Sequence, residues 1–156
     1  MSGSTTLTLG RSMMVFSQLV YSAGAFIADW NETHIHNPTW PGHARFHNGQ
    51  TMTLGVLLAA TSIYHTFRSS NPASSSSPVA AAQQQKDSLW TAAVVGCLYC
   101  LAGLSAILYP GTTWSDPPAS GSPQVWLFPS LVLMNWGGYA VATMHLGQTS
   151  GGRKKV

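Results

Sequence analysis

Between Asp29 and Gln50 the chain reads Asp-Trp-Asn-Glu-Thr-His-Ile-His-Asn-Pro-Thr-Trp-Pro-Gly-His-Ala-Arg-Phe-His-Asn-Gly-Gln. Asp29 and Glu32 are two of only four acids in the protein, and His34, His36, His43 and His47 are four of its six histidines. Carboxylates and imidazoles are the side chains that move protons near neutral pH, most usefully where partial desolvation tunes them. Asp29, Glu32 and His47 are the candidate acid/base groups, with Arg45 to stabilise developing negative charge. His43, Asn48 and Gln50 are the candidate substrate contacts beside them. If a helix starts near Gly42, His43 and His47 share a face one turn apart, a stripe that Gln50 and Leu54 continue. His34 and His36, two apart, point the same way only in an extended chain.

Metal binding is the alternative chemistry. His43-x-x-x-His47 with a third ligand from His34, His36 or Glu32 reaches the ligand count of a catalytic zinc site. There is no His-Glu-x-x-His and no cysteine partner, and di-iron oxygenases need about twice as many clustered histidines, so no cofactor is expected. The plainest reading is a polar loop hydrogen-bonded to the helices it joins.

Those helices follow from composition. Charged residues are 7% and apolar ones 45% of 156 residues, against roughly 25% charged in soluble domains. The bilayer is the solvent this surface suits. The net charge of +3 is no nucleic-acid signal, because the seven basic residues are scattered or C-terminal and form no basic face. After a Ser/Thr-rich lead over 1–10, expected to be disordered, hydrophobic spans are predicted at about 12–28, 49–68, 88–109 and 125–146. A flexible Ser/Pro/Ala/Gln linker is predicted over 69–87. Arg11 and Ala23-Gly24-Ala25 also fit a cleavable signal over residues 1–25, although the apolar run continues past them through Phe26 and Ile27. Small residues recur in the spans (Gly55, Ala59, Gly96, Gly103, Gly138), which lets helices approach closely in a membrane. The expected fold is all-α: one antiparallel four-helix integral membrane bundle with the His/acid-rich segment between helices 1 and 2.

Polar groups inside spans are expensive and therefore candidates for function. Asn135, with Trp136 beside it and Tyr139 one turn on, is the foremost, as a substrate contact or an interhelical hydrogen-bonding residue; Gln18 is similar. His65 and His145 fall near span ends, where snorkelling accounts for them. Cys97-x-x-Cys100 lies within an apolar helix and reads as packing.

Placing both termini in the cytosol leaves Arg11, Arg68, Lys86, Arg153, Lys154 and Lys155 there and only Arg45 on the luminal side, a strong positive-inside asymmetry. Trp30, Trp40, Trp114 and Trp126 then fall at the luminal interface and Trp90 at the cytosolic one, as anchors. Asn31-Glu32-Thr33 is a luminal sequon, expected to be unmodified so near a span.

Ala28-Asp29-Trp30-Asn31-Glu32-Thr33-His34, Asn37-Pro38 and Trp40-Pro41-x-His43-Ala44-Arg45-Phe46-His47-Asn48-Gly49-Gln50 resemble the signature of a group of small fungal membrane proteins. These carry a domain of unknown function, are often labelled acetyltransferase, and recur among genes for secondary metabolites. The resemblance implies a four-span membrane protein in such a pathway and brings no settled activity. The acetyltransferase label has no motif here: there is no His-x-x-x-x-Asp and no acetyl-CoA pyrophosphate loop. By architectural analogy with sterol-isomerase-like bundles and small membrane terpene cyclases, the expected activity is proton transfer on a lipophilic intermediate, an isomerase or cyclase reaction. The alternative is a non-catalytic accessory protein that scaffolds other pathway enzymes. Expected partners are the bilayer, a lipophilic small molecule and other pathway enzymes, with no nucleic acid.

The chain ends Arg153-Lys154-Lys155-Val156, which resembles a dilysine retrieval signal of the endoplasmic reticulum with Arg for one Lys. The competing account is that three basic residues pin the last helix to an anionic leaflet, each worth about 1 kcal/mol. Replacing Arg153 and Lys154 with Ser in a tagged protein is expected to move it to the Golgi or plasma membrane under the microscope. Unchanged reticular staining would mean that the tail is not the address.

Overall fold

The computed structural model describes residues 3–68, 77–115, 121–144 and 146. Four helices carry the fold: α1 (Gly3–Asp29), α2 (Gly42–Arg68), α3 (Pro78–Ser105), which tightens into a 3₁₀ turn at Ala106–Leu108, and α4 (Pro123–Thr143). No strand occurs among the described residues. Each helix packs on two neighbours in the ring α1–α2–α3–α4–α1, while α1 and α3 scarcely meet across the diagonal. Every adjacent pair is antiparallel. Gly10 near the start of α1 lies against Gly138 and Ala142 near the end of α4, and Asp29 at the end of α1 bonds Asn48 at the start of α2. The expected antiparallel four-helix bundle is what forms.

Three helices start well before their expected spans: α2 begins at Gly42, the start allowed for by the His43–His47 stripe, and α1 and α3 begin further from expectation. α3 begins ten residues before the expected span, so residues 78–87 are helix, not linker. Ser77 caps it, its side chain accepting the Ala80 N–H at 3.2 Å, and Pro78 fits the first turn, where no intrahelical donor is needed. The Ala/Gln run that follows is weakly apolar but strongly helix-forming. Residues 69–76 of the expected linker lie outside the described residues. α1 likewise starts at Gly3, not after a disordered lead. Its Thr6 and Thr8 hydroxyls donate to the carbonyls of Gly3 and Ser4, and Gly10 docks on α4 so closely that a Cβ there would collide with the α4 backbone. The buried stripe Met14, Ser17, Gln18, Tyr21 and Ala25 follows the helical period and makes α1 one wall of the core.

The core is apolar at both ends and polar at its middle. Met14, Leu89, Ala92, Ala93 and Ala142 form one cluster; Tyr21, Ala59, Cys100 and Leu131 form the other. Between them Gln18 Nε2 donates to Ser62 Oγ at 2.8 Å and to Asn135 Oδ1 at 2.9 Å. Ser62 Oγ in turn donates to the Ala92 carbonyl at 2.8 Å, and Asn135 Nδ2 to the Ala93 carbonyl at 2.7 Å. One side chain from each of α1, α2 and α4 thus meets the backbone of α3. Gly96 leaves the room for it, since a Cβ there would press on all three side chains.

The outer surface is the reverse. Phe16, Leu19, Leu57, Leu98, Leu101 and Leu133 point outward. The helical stretch Pro78–Leu108 and α4 are each long and apolar enough to cross a membrane, and most of each faces outward. α4 is the more irregular of the two: Pro129 lies inside it and cannot donate to the carbonyl four residues back.

Gly96→Ala is expected to lower stability by about 1–3 kcal/mol, the usual range for overpacking, read as a lower Tm of the detergent-solubilised protein. Gly24→Ala, where a new Cβ meets nothing within 4 Å, is expected to be neutral or slightly stabilising.

Candidate functional site

The segment from Asp29 to Gln50 caps one end of the bundle, joining α1 to α2. Two asparagines fold its connection in the same way. Asn31 Oδ1 accepts from the backbone N–H of Thr33 at 2.8 Å and from its hydroxyl at 2.6 Å. Six residues on, Asn37 Oδ1 does the same for Thr39, at 3.0 and 2.8 Å. Each is an Asn side chain standing in for a backbone turn, written twice as Asn-x-Thr. The amides close the structure: Asn31 Nδ2 donates to the Ala28 carbonyl and Asn37 Nδ2 to that of Thr33. Sequence reasoning recognised Asn31 only as a sequon and gave Asn37 no role.

Asp29, the last residue of α1, is held from α2: Asn48 Nδ2 donates to its Oδ2 at 2.8 Å. Its other oxygen, Oδ1, faces His34 Nε2 at 3.9 Å, with the Asp29 side chain 20% exposed and that of His34 35%. The His34 ring is oriented by Thr33, whose Oγ1 lies 2.7 Å from Nδ1. Because the Thr33 hydroxyl donates to Asn31, Nδ1 is the donor of that contact. Nε2 then carries an open lone pair in the neutral ring and a proton aimed at Asp29 in the imidazolium. Trp40 packs edge-on against the same imidazole, centroids 5.3 Å apart.

His47 belongs to a different pair. Its Nε2 lies 3.0 Å from His43 Nε2, one turn back on α2, and its Nδ1 lies 3.2 Å from Gln50 Oε1. An amide oxygen only accepts, so His47 Nδ1 donates, and in the neutral pair His43 donates through Nε2 to His47 Nε2. The i, i+4 stripe read from the sequence is therefore real, Gln50 included. The imidazole that faces Asp29 is that of His34.

Arg45 also departs from its expected role. One guanidinium nitrogen donates to the Asn37 carbonyl at 2.7 Å, so Arg45 fastens the second Asn turn to α2. Glu32 is exposed and makes no hydrogen bond or ion pair among the described residues. His36 packs edge-on against Trp30. Of the four histidines of the zinc alternative, only His43 and His47 come together, and among the described residues no three His, Cys, Asp or Glu side chains are grouped to hold a metal.

Asn135 and Trp136 are not part of this cap. Asn135 is fully buried in the polar node, and twelve residues at 1.5 Å put it roughly 18 Å along α4 from its capped end. Trp136 packs with Trp90 and Tyr139, centroids 5.0 and 5.7 Å away. The bonds to Gln18 and Ala93 give Asn135 the interhelical role. His65 lends its carbonyl to Ser88; His145 lies outside the described residues. At the same end of the bundle as the cap, the start of α4 borders an open groove of about 420 Å³ lined by Gly121, Ser122, Pro123, Val125 and Trp126.

Residues 13–153 match a family described as a family of unknown function, DUF6640. That stretch takes in the cap, the whole of α2, α3 and α4, and α1 from Met13. No curated protein and no solved structure matches the chain.

Asn48→Ala is expected to cost roughly 1–3 kcal/mol, because it strips a charge-assisted bond from a half-buried carboxylate. Hydrogen exchange should then accelerate at the amides of His34, Ile35 and His36, whose bonds close the turn after Asp29, while those of α3 stay protected.

Proposed function

We propose that this chain, which belongs to the DUF6640 family of unknown function, is an integral membrane enzyme that isomerises or cyclises a lipophilic intermediate by proton transfer at its α1–α2 cap. The observation that carries the proposal is the Asp29–His34 pair. His34 Nε2 and Asp29 Oδ1 face one another 3.9 Å apart with no hydrogen bond between them, so a substrate group at the mouth of that gap meets an oriented imidazole nitrogen on one side and a carboxylate oxygen on the other. In the forward step His34 Nε2 removes a proton from the substrate, and the charge left on the substrate delocalises. The imidazolium, steadied by Asp29, returns the proton at another atom, so the reaction is redox-neutral and needs no co-reactant. Asn48 acts through Asp29 as a positioning residue.

The membrane setting is supported by the inverted surface, with Gln18 and Asn135 inside and Phe16, Leu57 and Leu133 outside. It is supported further by the charges. Arg11, stacked on Phe67 of α2, and Arg68, stacked on Tyr64, lie at one end of the bundle, and Arg45 lies at the other. That distribution fits cytosolic termini and a luminal cap, and with the basic tail it fits residence in the endoplasmic reticulum, within a secondary-metabolite or sterol-like pathway. The groove at Trp126 is apolar and offers a place for the hydrocarbon part of a substrate beside the cap. A second reading, an accessory protein that organises pathway enzymes, is favoured by the self-contained cap, whose Asn31, Asn37 and Arg45 bonds all close within it.

The test joins genetics to enzymology. Deleting the gene should cause a lipophilic intermediate to accumulate, and wild-type protein in detergent should convert that compound unaided. His34→Ala is expected to lower turnover on the order of 10²–10⁴-fold, the usual worth of a general base, and Asp29→Asn to lower it as well; Glu32→Ala should leave it intact. Full turnover with both His34→Ala and Asp29→Asn refutes the proton-transfer reading. No conversion by pure wild-type protein, with accumulation still caused by the deletion, selects the accessory reading.

A further inference from the structure

The cap holds a second pair of imidazoles that the proton-transfer reading leaves unused. His43 and His47 sit one turn apart on α2, both exposed, with rings nearly perpendicular at 77° and the two Nε2 atoms 3.0 Å apart. We propose that they form a bidentate site for a late first-row divalent metal ion, copper(II) above zinc or nickel.

The argument is geometric. Metal–imidazole bonds are about 2.05 Å long, so two nitrogens 3.0 Å apart subtend about 94° at a shared ion. That is close to the right angle between neighbouring ligands of a tetragonal copper(II) or nickel(II) centre. Opening the pair by about 0.3 Å reaches the tetrahedral angle of zinc. Both side chains rise from one face of the same helix, so the two nitrogens are already close before the ion arrives.

The surroundings suit it too. Gln50 Oε1 takes the His47 Nδ1 proton at 3.2 Å, and outer hydrogen bonds of this kind fix the tautomer and orientation of a ligating histidine. Without metal, the Nε2 atoms share the proton that His43 carries. Binding moves it to His43 Nδ1, which has no partner among the described residues, so both rings ligate in neutral form with no proton lost. Phe46 lies parallel to the His43 ring, centroids 6.0 Å apart, and covers one face of it. Two protein ligands leave the other coordination positions to water or to a chelating molecule. The hard cations magnesium and calcium prefer carboxylate and other oxygen ligands, and the pair of nitrogens offers them no carboxylate. No part of this depends on Asp29 or His34.

The experiment titrates CuCl₂, ZnCl₂, NiCl₂ and MgCl₂ into the full-length protein in detergent, purified through a tag free of histidine and followed by calorimetry and copper(II) EPR. The expected result is one copper(II) per chain with nitrogen hyperfine structure, weaker binding of zinc and nickel, and none of magnesium. His43→Ala and His47→Ala should each abolish the nitrogen signal and weaken copper binding at least tenfold. Gln50→Ala should weaken it about 10-fold or more, and His36→Ala and Asp29→Asn should leave it unchanged. Both α2 histidines are exposed, so His43→Gln and His47→Gln, with circular dichroism alongside, separate ligand loss from misfolding. No copper binding by the wild type, or equal binding in the His43 and His47 variants, overturns the proposal.

Discussion

The bundle depends on the amide of Gln18. Its nitrogen donates twice, to Ser62 and to Asn135, and those two side chains pass the connection to the Ala92 and Ala93 carbonyls. Apolar contacts alone discriminate poorly between helix registers in a lipid environment, where hydrophobicity offers no force between helices. A buried amide with partners on two other helices does discriminate. Sliding any helix by one residue would leave donors unsatisfied in a medium that cannot solvate them. Gly96 is the complement of this node, an absence of side chain that only one residue type supplies. The apolar clusters on either side then pack around a register already fixed.

That register places the chemistry. With the node fixing α1 against α2, Asp29 and Asn48 come opposite one another at the open end, and Asn48 ties them. Between them the two Asn-x-Thr turns shorten the connection and carry His34 back toward the carboxylate. Arg45 fastens the second turn to α2. The cap thus contains two imidazole systems of different character: one set against a carboxylate across a turn, the other built on a single helix face. They lie in the same segment and share no residue.

How far the sequence disclosed this depended on the range of each interaction. The four helices were legible because each carries an apolar run bounded by polar or Gly/Pro-rich stretches, and the His43–His47–Gln50 stripe because helical periodicity is local. The early start of α3 escaped because Ala and Gln make helix without being strongly apolar, so a hydropathy reading passes over them. The pairing of Asp29 with His34 escaped because its geometry depends on where the Asn31 turn folds the chain, and no period describes a turn. Asn135 and Gln18 were conspicuous as polar residues in apolar runs. That they were each other's partners was invisible, because 117 residues separate them.

That separation has a consequence for how the protein is made. α1 emerges first, yet the partners of its buried polar groups come late: Ser17 donates to the Leu131 carbonyl, and Gln18 waits for Ser62 and then Asn135. Until α4 arrives, the Gln18 nitrogen has only one of its two partners. The ring of four helices is thus complete only once α4, the last of them in the chain, meets α1 through Leu131 and Asn135.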